Sequence, residues 1–185
     1  MNILYDGGKK SLELSLSIPC LIAGQAGSGK TVLLNKIIPV LSQEGKVCVL
    51  NPCHPTRYNS LTEATVPVYM WLADEKYRFP YKAKSLLLDF NQASDTADNI
   101  REVLARLCNI FRGEKMTLIL DTCRADTHEH YSELLRFFLK LQSENVMCIA
   151  TVQSLADANL EGLDVQAILA GERISRDELS ALGKE

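Results

Sequence analysis

Residues 24–31 read Gly24-Gln25-Ala26-Gly27-Ser28-Gly29-Lys30-Thr31 and fill every fixed position of the pattern G-x-x-x-x-G-K-[ST]. The apolar run Ile18-Pro19-Cys20-Leu21-Ile22-Ala23 leads in, and Val32-Leu33-Leu34-Asn35-Lys36-Ile37-Ile38 leads out with helical spacing. A strand before and a helix after is the setting this pattern requires. Three glycines let the backbone take positive φ and approach a ligand closely. The loop's N–H groups then converge with the positive end of the helix on a phosphate. Lys30 is expected to reach the β- and γ-phosphates, and the Thr31 hydroxyl to hold Mg²⁺. The competing reading is a glycine-rich turn that merely joins a strand to a helix. With all fixed positions and the context present, the expectation is a site for ATP and Mg²⁺, with Gly24 to Thr31 as the binding residues.

A chain of 185 residues is expected to form one domain over 1–185 and to bury about 70% of its unfolded surface. A hydrophobic content of 46% and a charged content of 23% are those of an ordinary soluble globule. A net charge of −3 argues against strong, indiscriminate nucleic-acid binding by a monomer. It leaves room for a local basic surface, or for a ring with a positive pore. Of the six cysteines, Cys20, Cys48, Cys108 and Cys148 sit in apolar runs, and no C-x-x-C occurs with Cys53 and Cys123. A reducing interior is expected rather than a disulfide or zinc framework. The first ten residues lack the apolar core of a leader, and no run approaches membrane-spanning length. The expected location is the cytoplasm.

Strands alternating with amphipathic helices predict an α/β fold with a parallel sheet. Ser11 to Ser17 alternates, with Leu12, Leu14 and Leu16 on one face. The helix after the loop carries Leu33, Leu34, Ile37, Ile38 and Leu41, and Pro39 is expected to kink or end it. Val47 to Leu50 reads as a buried strand ending at Asn51-Pro52, and Ser85 to Phe90 as another. Val66 to Leu72 is a weaker strand candidate. The basic and aromatic residues from Lys76 to Lys84 read either as a nucleic-acid contact or as a solvated hairpin, the second being preferred. Ile100, Val103, Leu104, Leu107, Ile110 and Phe111 line a helix that stops at Gly113. Asp126 and Glu129 form a capping box for a helix bearing Leu134, Leu135, Phe138, Leu139 and Leu141. Asn145 to Val152 and Val165 to Ala170 are further strands, and Ser175 with Glu178 is a second capping box.

Met116 to Leu120 is a continuous apolar run ending in Asp121. In an open α/β sheet that strand end faces the ligand crevice, so Asp121 is expected to hold Mg²⁺ through a water, opposite Thr31. Gln153, after the next apolar strand, either meets the γ-phosphate or the attacking water, or caps a helix. Cys123, His128 and His130 offer no second paired ligand set, and H-x-H at a helix start divides the rings between faces, so no structural metal is expected.

GQAGSGKT, VCVLNP, LILDT, IATVQS and AILAGERIS-RDELSALG, taken in order, resemble the FtsK–HerA superfamily of ring-forming, DNA-translocating ATPases. The resemblance spans residues 18 to about 183, and its short form is similar to packaging ATPases of membrane-containing icosahedral viruses. It implies a three-layer P-loop NTPase (RecA/ASCE-like) with an extra strand between the loop strand and the aspartate strand. The sheet is expected to be mostly parallel with antiparallel edge strands. It implies Lys30 and Thr31 on phosphate and metal, Asp121 on metal, and Gln153 as polar sensor. Double-stranded DNA, a pentameric or hexameric ring and a capsid vertex are the implied partners, with the virion as a further location. An arginine from a neighbouring subunit is also needed, and Arg124, Arg173 and Arg176 are the candidates. Two departures stand out. Thr122 occupies the place of a water-polarising Glu, leaving Asp126 or Glu129 as substitutes, and Asn51-Pro52 replaces Asp-Pro. A small-molecule P-loop kinase and a nucleotide-gated regulator with slow hydrolysis are the alternatives. A kinase needs an arginine-rich lid, whereas only scattered arginines follow Asp121.

Overall fold

A computed structural model describes residues 2–5, 10–15, 17–51, 62–90, 97–121, 128–155, 158 and 160–170. In chain order the elements are β1 (Asn2–Tyr5), β2 (Lys10–Glu13), β3 (Cys20–Ala23), α1 (Lys30–Glu44), β4 (Lys46–Leu50), β5 (Ala64–Pro67) and α2 (Val68–Ala73). There follow β6 (Ser85–Asp89), α3 (Ala97–Ile110), β7 (Met116–Asp121), α4 (His128–Leu139), β8 (Val146–Val152) and β9 (Gln166–Leu169). Seven strands form one sheet in the order β5-β6-β4-β7-β8-β3-β9. β8 thus lies between the loop strand β3 and the aspartate strand β7, the inserted strand that the family resemblance implies.

Every pairing in this sheet is parallel, including β5 on β6 and β9 on β3. The expected antiparallel edge strands are therefore replaced, among the described residues, by parallel ones. The antiparallel pairing belongs to a separate two-stranded sheet of β1 and β2. Asp6-Gly7-Gly8 between those strands carries a hairpin signal, which a reading of the first ten residues for a leader alone passes over.

Strand parity sorts the core into two layers. Cys48, Leu50, Leu118, Leu120, Cys148 and Ala150 pack with Ile100, Val103, Leu104 and Leu107 of α3 and Leu134, Leu135, Phe138 and Leu139 of α4. Val47, Val49, Ile119 and Ile149, one residue out of phase, pack with Leu34, Ile37, Ile38 and Leu41 of α1. Both faces are covered, as a parallel sheet of near-continuous apolar strands requires.

α1 runs through Pro39 to Glu44, so of the two expected effects of the proline, a kink or an end, the helix does not end there. An interior proline costs about 3 kcal/mol, whereas each of the four buried aliphatic side chains contributes about 1.5–3 kcal/mol, so tertiary packing wins. The helix stops at Gly45, where a Cβ would lie 2.5 Å from the Lys115 carbonyl oxygen. The candidate strand at Val66 to Leu72 is instead the end of β5, which stops at Pro67, and the short helix α2. Among the described residues no helix is long and apolar enough to cross a membrane.

Candidate functional site

The loop after β3 is rooted between two neighbouring strands. Gly24 N–H donates to the Val152 carbonyl at 3.1 Å, and Ala170 N–H donates to the Ala23 carbonyl at 2.8 Å. Gly24, Gly27 and Gly29 have φ of 153°, 82° and 93°, values that L side chains rarely adopt. Crowding adds a second reason at Gly24, where a Cβ would sit 2.5 Å from Ser28 Oγ and 3.3 Å from the Ala170 carbonyl. At Gly27 and Gly29 a Cβ would meet nothing within 4 Å, so there the backbone conformation alone demands glycine. The Ser28 N–H closes a turn onto the Gln25 carbonyl at 3.1 Å.

Gly29 is the N-cap of α1, with no side-chain cap and no acidic residue in the first turn. The first N–H groups of a helix have no internal partner, and here no carboxylate of the helix's own first turn neutralises their positive field. The Lys30 ammonium arches back over the loop, donating to the Gly24 carbonyl and, at 3.0 Å, to the Gln25 carbonyl. The Ser28 hydroxyl oxygen is buried and meets no hydrogen-bond partner among the described residues. An orphaned buried hydroxyl, an ammonium and the positive end of a helix fit a polyanion such as a polyphosphate.

The second half of the site is a row across three strand tips. Asp121 ends β7 and pairs in register with Thr151 of β8, while Leu50 of β4 pairs with Leu120. Asn51 is therefore the next position beside Asp121. Residues 51, 121 and 151 share the parity of Val49, Ile119 and Ile149, so all three turn to the α1 face, where Thr31 lies in the first turn of the helix. The Asp121 carboxylate accepts from Thr151 Oγ1 at 2.7 Å, from Asn51 Nδ2 at 3.1 Å and, at the long limit, from Thr31 Oγ1 at 3.5 Å. Asn51 and Thr151 are fully buried, and Asp121 is only 4% exposed. A buried carboxylate requires such donors. A hydroxyl on α1 beside a carboxylate on β7 is also a suitable oxygen donor pair for Mg²⁺, a hard cation.

The structure sets Thr31 beside Asp121, while the Lys30 side chain lies on the loop carbonyls of Gly24 and Gln25. Gln153 stands exposed one residue beyond β8. Arg124, Arg173 and Arg176, with Thr122, Cys123 and Asp126, lie outside the described residues, as does the Ser175–Glu178 capping box. The backbone of His128, Glu129 and His130 forms the first turn of α4. Among the described residues no cluster of His, Cys, Asp or Glu could hold a metal by itself.

Sequence reasoning did not assign Asn51 or Thr151 to Asp121. Each is a polar residue directly at the end of an apolar strand, which is a usable signal, but strand order and register are what place them side by side. Among the described residues, burial pushes the thiols of Cys20 and Cys48 up to about 12 and that of Cys148 higher still, so these three are inert at neutral pH.

No protein-family model matches the chain, and no curated protein matches it. Solved structures do. The chain is similar to the genome packaging NTPase B204 from Sulfolobus turreted icosahedral virus 2 in complex with ATP-gammaS, at 13% identity and a TM-score of 0.57, covering 92% of this chain and 82% of that one. The same protein in complex with AMPPCP gives 14% identity and a TM-score of 0.55 over the same shares. In complex with AMP it gives 13% and 0.52, over 92% and 83%. At such identity the likeness is one of fold, and the fold is that of a P-loop NTPase.

Proposed function

We propose that this chain is a P-loop ATPase that oligomerises and translocates double-stranded DNA, loading a viral genome into a capsid. The observation that carries the nucleotide half is the convergence of Thr31 and Asp121, from opposite elements, beside a glycine loop bearing Lys30. The DNA-motor half is supported by the ordered family resemblance and by a shared fold with a genome packaging NTPase.

In this reading the loop amides and the N-terminus of α1 bind the β-phosphate, and Lys30 exchanges its loop carbonyls for β- and γ-phosphate oxygens. Thr31 and Asp121 would hold Mg²⁺, which would supply charge neutralisation at the phosphoryl group. Gln153 orients the attacking water or senses the γ-phosphate. An arginine of a neighbouring subunit, from among Arg124, Arg173 and Arg176, completes the site. Thr122 cannot take a proton at neutral pH, so Asp126 or Glu129 serves as the base or hydrolysis is slow.

The test is ATP turnover across a protein concentration series, with and without duplex DNA. The motor predicts specific activity that rises with both, because sites are completed between subunits. Turnover that ignores DNA but depends on a nucleoside monophosphate means a kinase instead. Tight nucleotide binding with almost no turnover under any condition means a nucleotide-gated regulator.

A further inference from the structure

We infer that Asn51 and Thr151 are positioning residues that lock the Asp121 carboxylate as a metal ligand, from the two strands flanking β7. The inference deepens the proposed Mg²⁺–nucleotide site and rests on that reading. A carboxyl group turns about its last side-chain torsion over a broad, roughly two-fold range. Asp121 is held at both ends of that rotation: Oδ1 accepts from Thr151 at 2.7 Å and Oδ2 from Asn51 at 3.1 Å. The donors belong to β8 and β4, the direct neighbours of β7, so the torsion is tied to the sheet itself. Thr31 meets the same Oδ2 that Asn51 grips, and the lock therefore aims the carboxylate at the hydroxyl with which it would share the metal.

The residue type at 51 is decisive. An amide presents a donor to the carboxylate, whereas an aspartate there would set two acids in contact and offer Asp121 nothing to accept. Asn51 in the place of the resembled family's aspartate is then matched to the buried row Asn51–Asp121–Thr151 rather than a neutral replacement. Partners of this kind around a metal ligand typically change metal affinity by about 10–100-fold when removed.

The experiment measures the affinity of a non-hydrolysable ATP analogue with Mg²⁺ and with a chelator. The ratio of the two constants isolates the metal's contribution, and Mn²⁺ binding followed by electron paramagnetic resonance supplies an independent readout. In Asn51→Leu and Thr151→Val, close in volume to the originals, the ratio and the Mn²⁺ affinity are expected to fall by about tenfold or more, while binding with chelator is retained. Thr151→Ser keeps the hydroxyl and is expected to restore both. If Asn51→Leu fails to fold, Thr151→Val and Thr151→Ser decide the matter alone. An unchanged ratio, or a parallel loss with and without metal, overturns the inference. Failure of the underlying reading looks different: the wild-type protein binds no analogue, or Asp121→Asn leaves the metal's contribution intact, and the inference then falls with it.

Discussion

The two ends of the same strands use polar residues in opposite ways. At the C-terminal ends of β4, β7 and β8, Asn51, Asp121 and Thr151 are buried, and Asn51 and Thr151 each donate to the Asp121 carboxylate. At the N-terminal ends, Lys46 sends its ammonium to the Tyr81 and Ala83 carbonyls and lies 5.3 Å from the Phe111 ring. Beneath it Phe79 packs on Trp71 at 4.8 Å and on Phe111 at 5.9 Å. The segment 74–84, which joins α2 to β6, closes the core there instead of forming a hairpin. Part of its aromatic content is structural, and it sits at the end of the sheet away from the phosphate loop. Burying a polar group requires a partner for each donor and acceptor. One end meets that demand for a charge aimed at a site, and the other keeps its charges on a rim around an aromatic plug.

The sharpest way to break this contrast is to damage one end and read both. Phe79→Ala is expected to destabilise the fold by about 3–5 kcal/mol, seen in denaturant unfolding, with nucleotide affinity unchanged in the remaining folded protein. Lys30→Ala should do the reverse. Its steady-state ATP turnover is expected to fall by about 10²–10³-fold while the unfolding midpoint stays put. Either variant moving both readouts together removes the separation.

Between the two ends lie the buried thiols, which predict a pH effect. Burial raises Cys20 and Cys48 from an ordinary 9.0 to about 12. Between these values the unfolded chain has released protons that the folded chain retains. Stability is therefore intact below about pH 9 and falls as pH rises toward 12, by more than about 1 kcal/mol per pH unit per thiol. Urea unfolding from pH 8 to 10.5 measures the slope, and replacing Cys48 by Ala should flatten it. The smallest effect belongs to Gly27→Ala, where φ is 82° and a Cβ has room. It is expected to cost about 1–2 kcal/mol through backbone conformation alone, read as a lowered melting temperature.

Legibility in the sequence followed the range of the interactions. The strands β3, β4, β6, β7, β8 and β9 and the buried faces of α3 and α4 are local patterns, and the sequence shows them. Local propensity does not decide the stretch from Val66 to Leu72 or whether α1 ends at Pro39, because the core overrides it: Ile37, Ile38 and Leu41 hold α1 past the proline, and Trp71 packs α2 onto Phe79. In the site, Lys30 and Thr31 were visible from spacing, and Asp121 from its strand end. The Asn51–Asp121–Thr151 row was not, since residues so distant in the chain become neighbours only through strand order and register.

Calorimetric titration of a non-hydrolysable ATP analogue into the wild-type protein and into Lys30→Ala, each with Mg²⁺, tests the central claim most directly. The account predicts saturable binding to the wild type with a dissociation constant between about 1 µM and 1 mM, and a loss of most of that affinity in the variant. Equal affinity in the two proteins, or no binding to either, would contradict it.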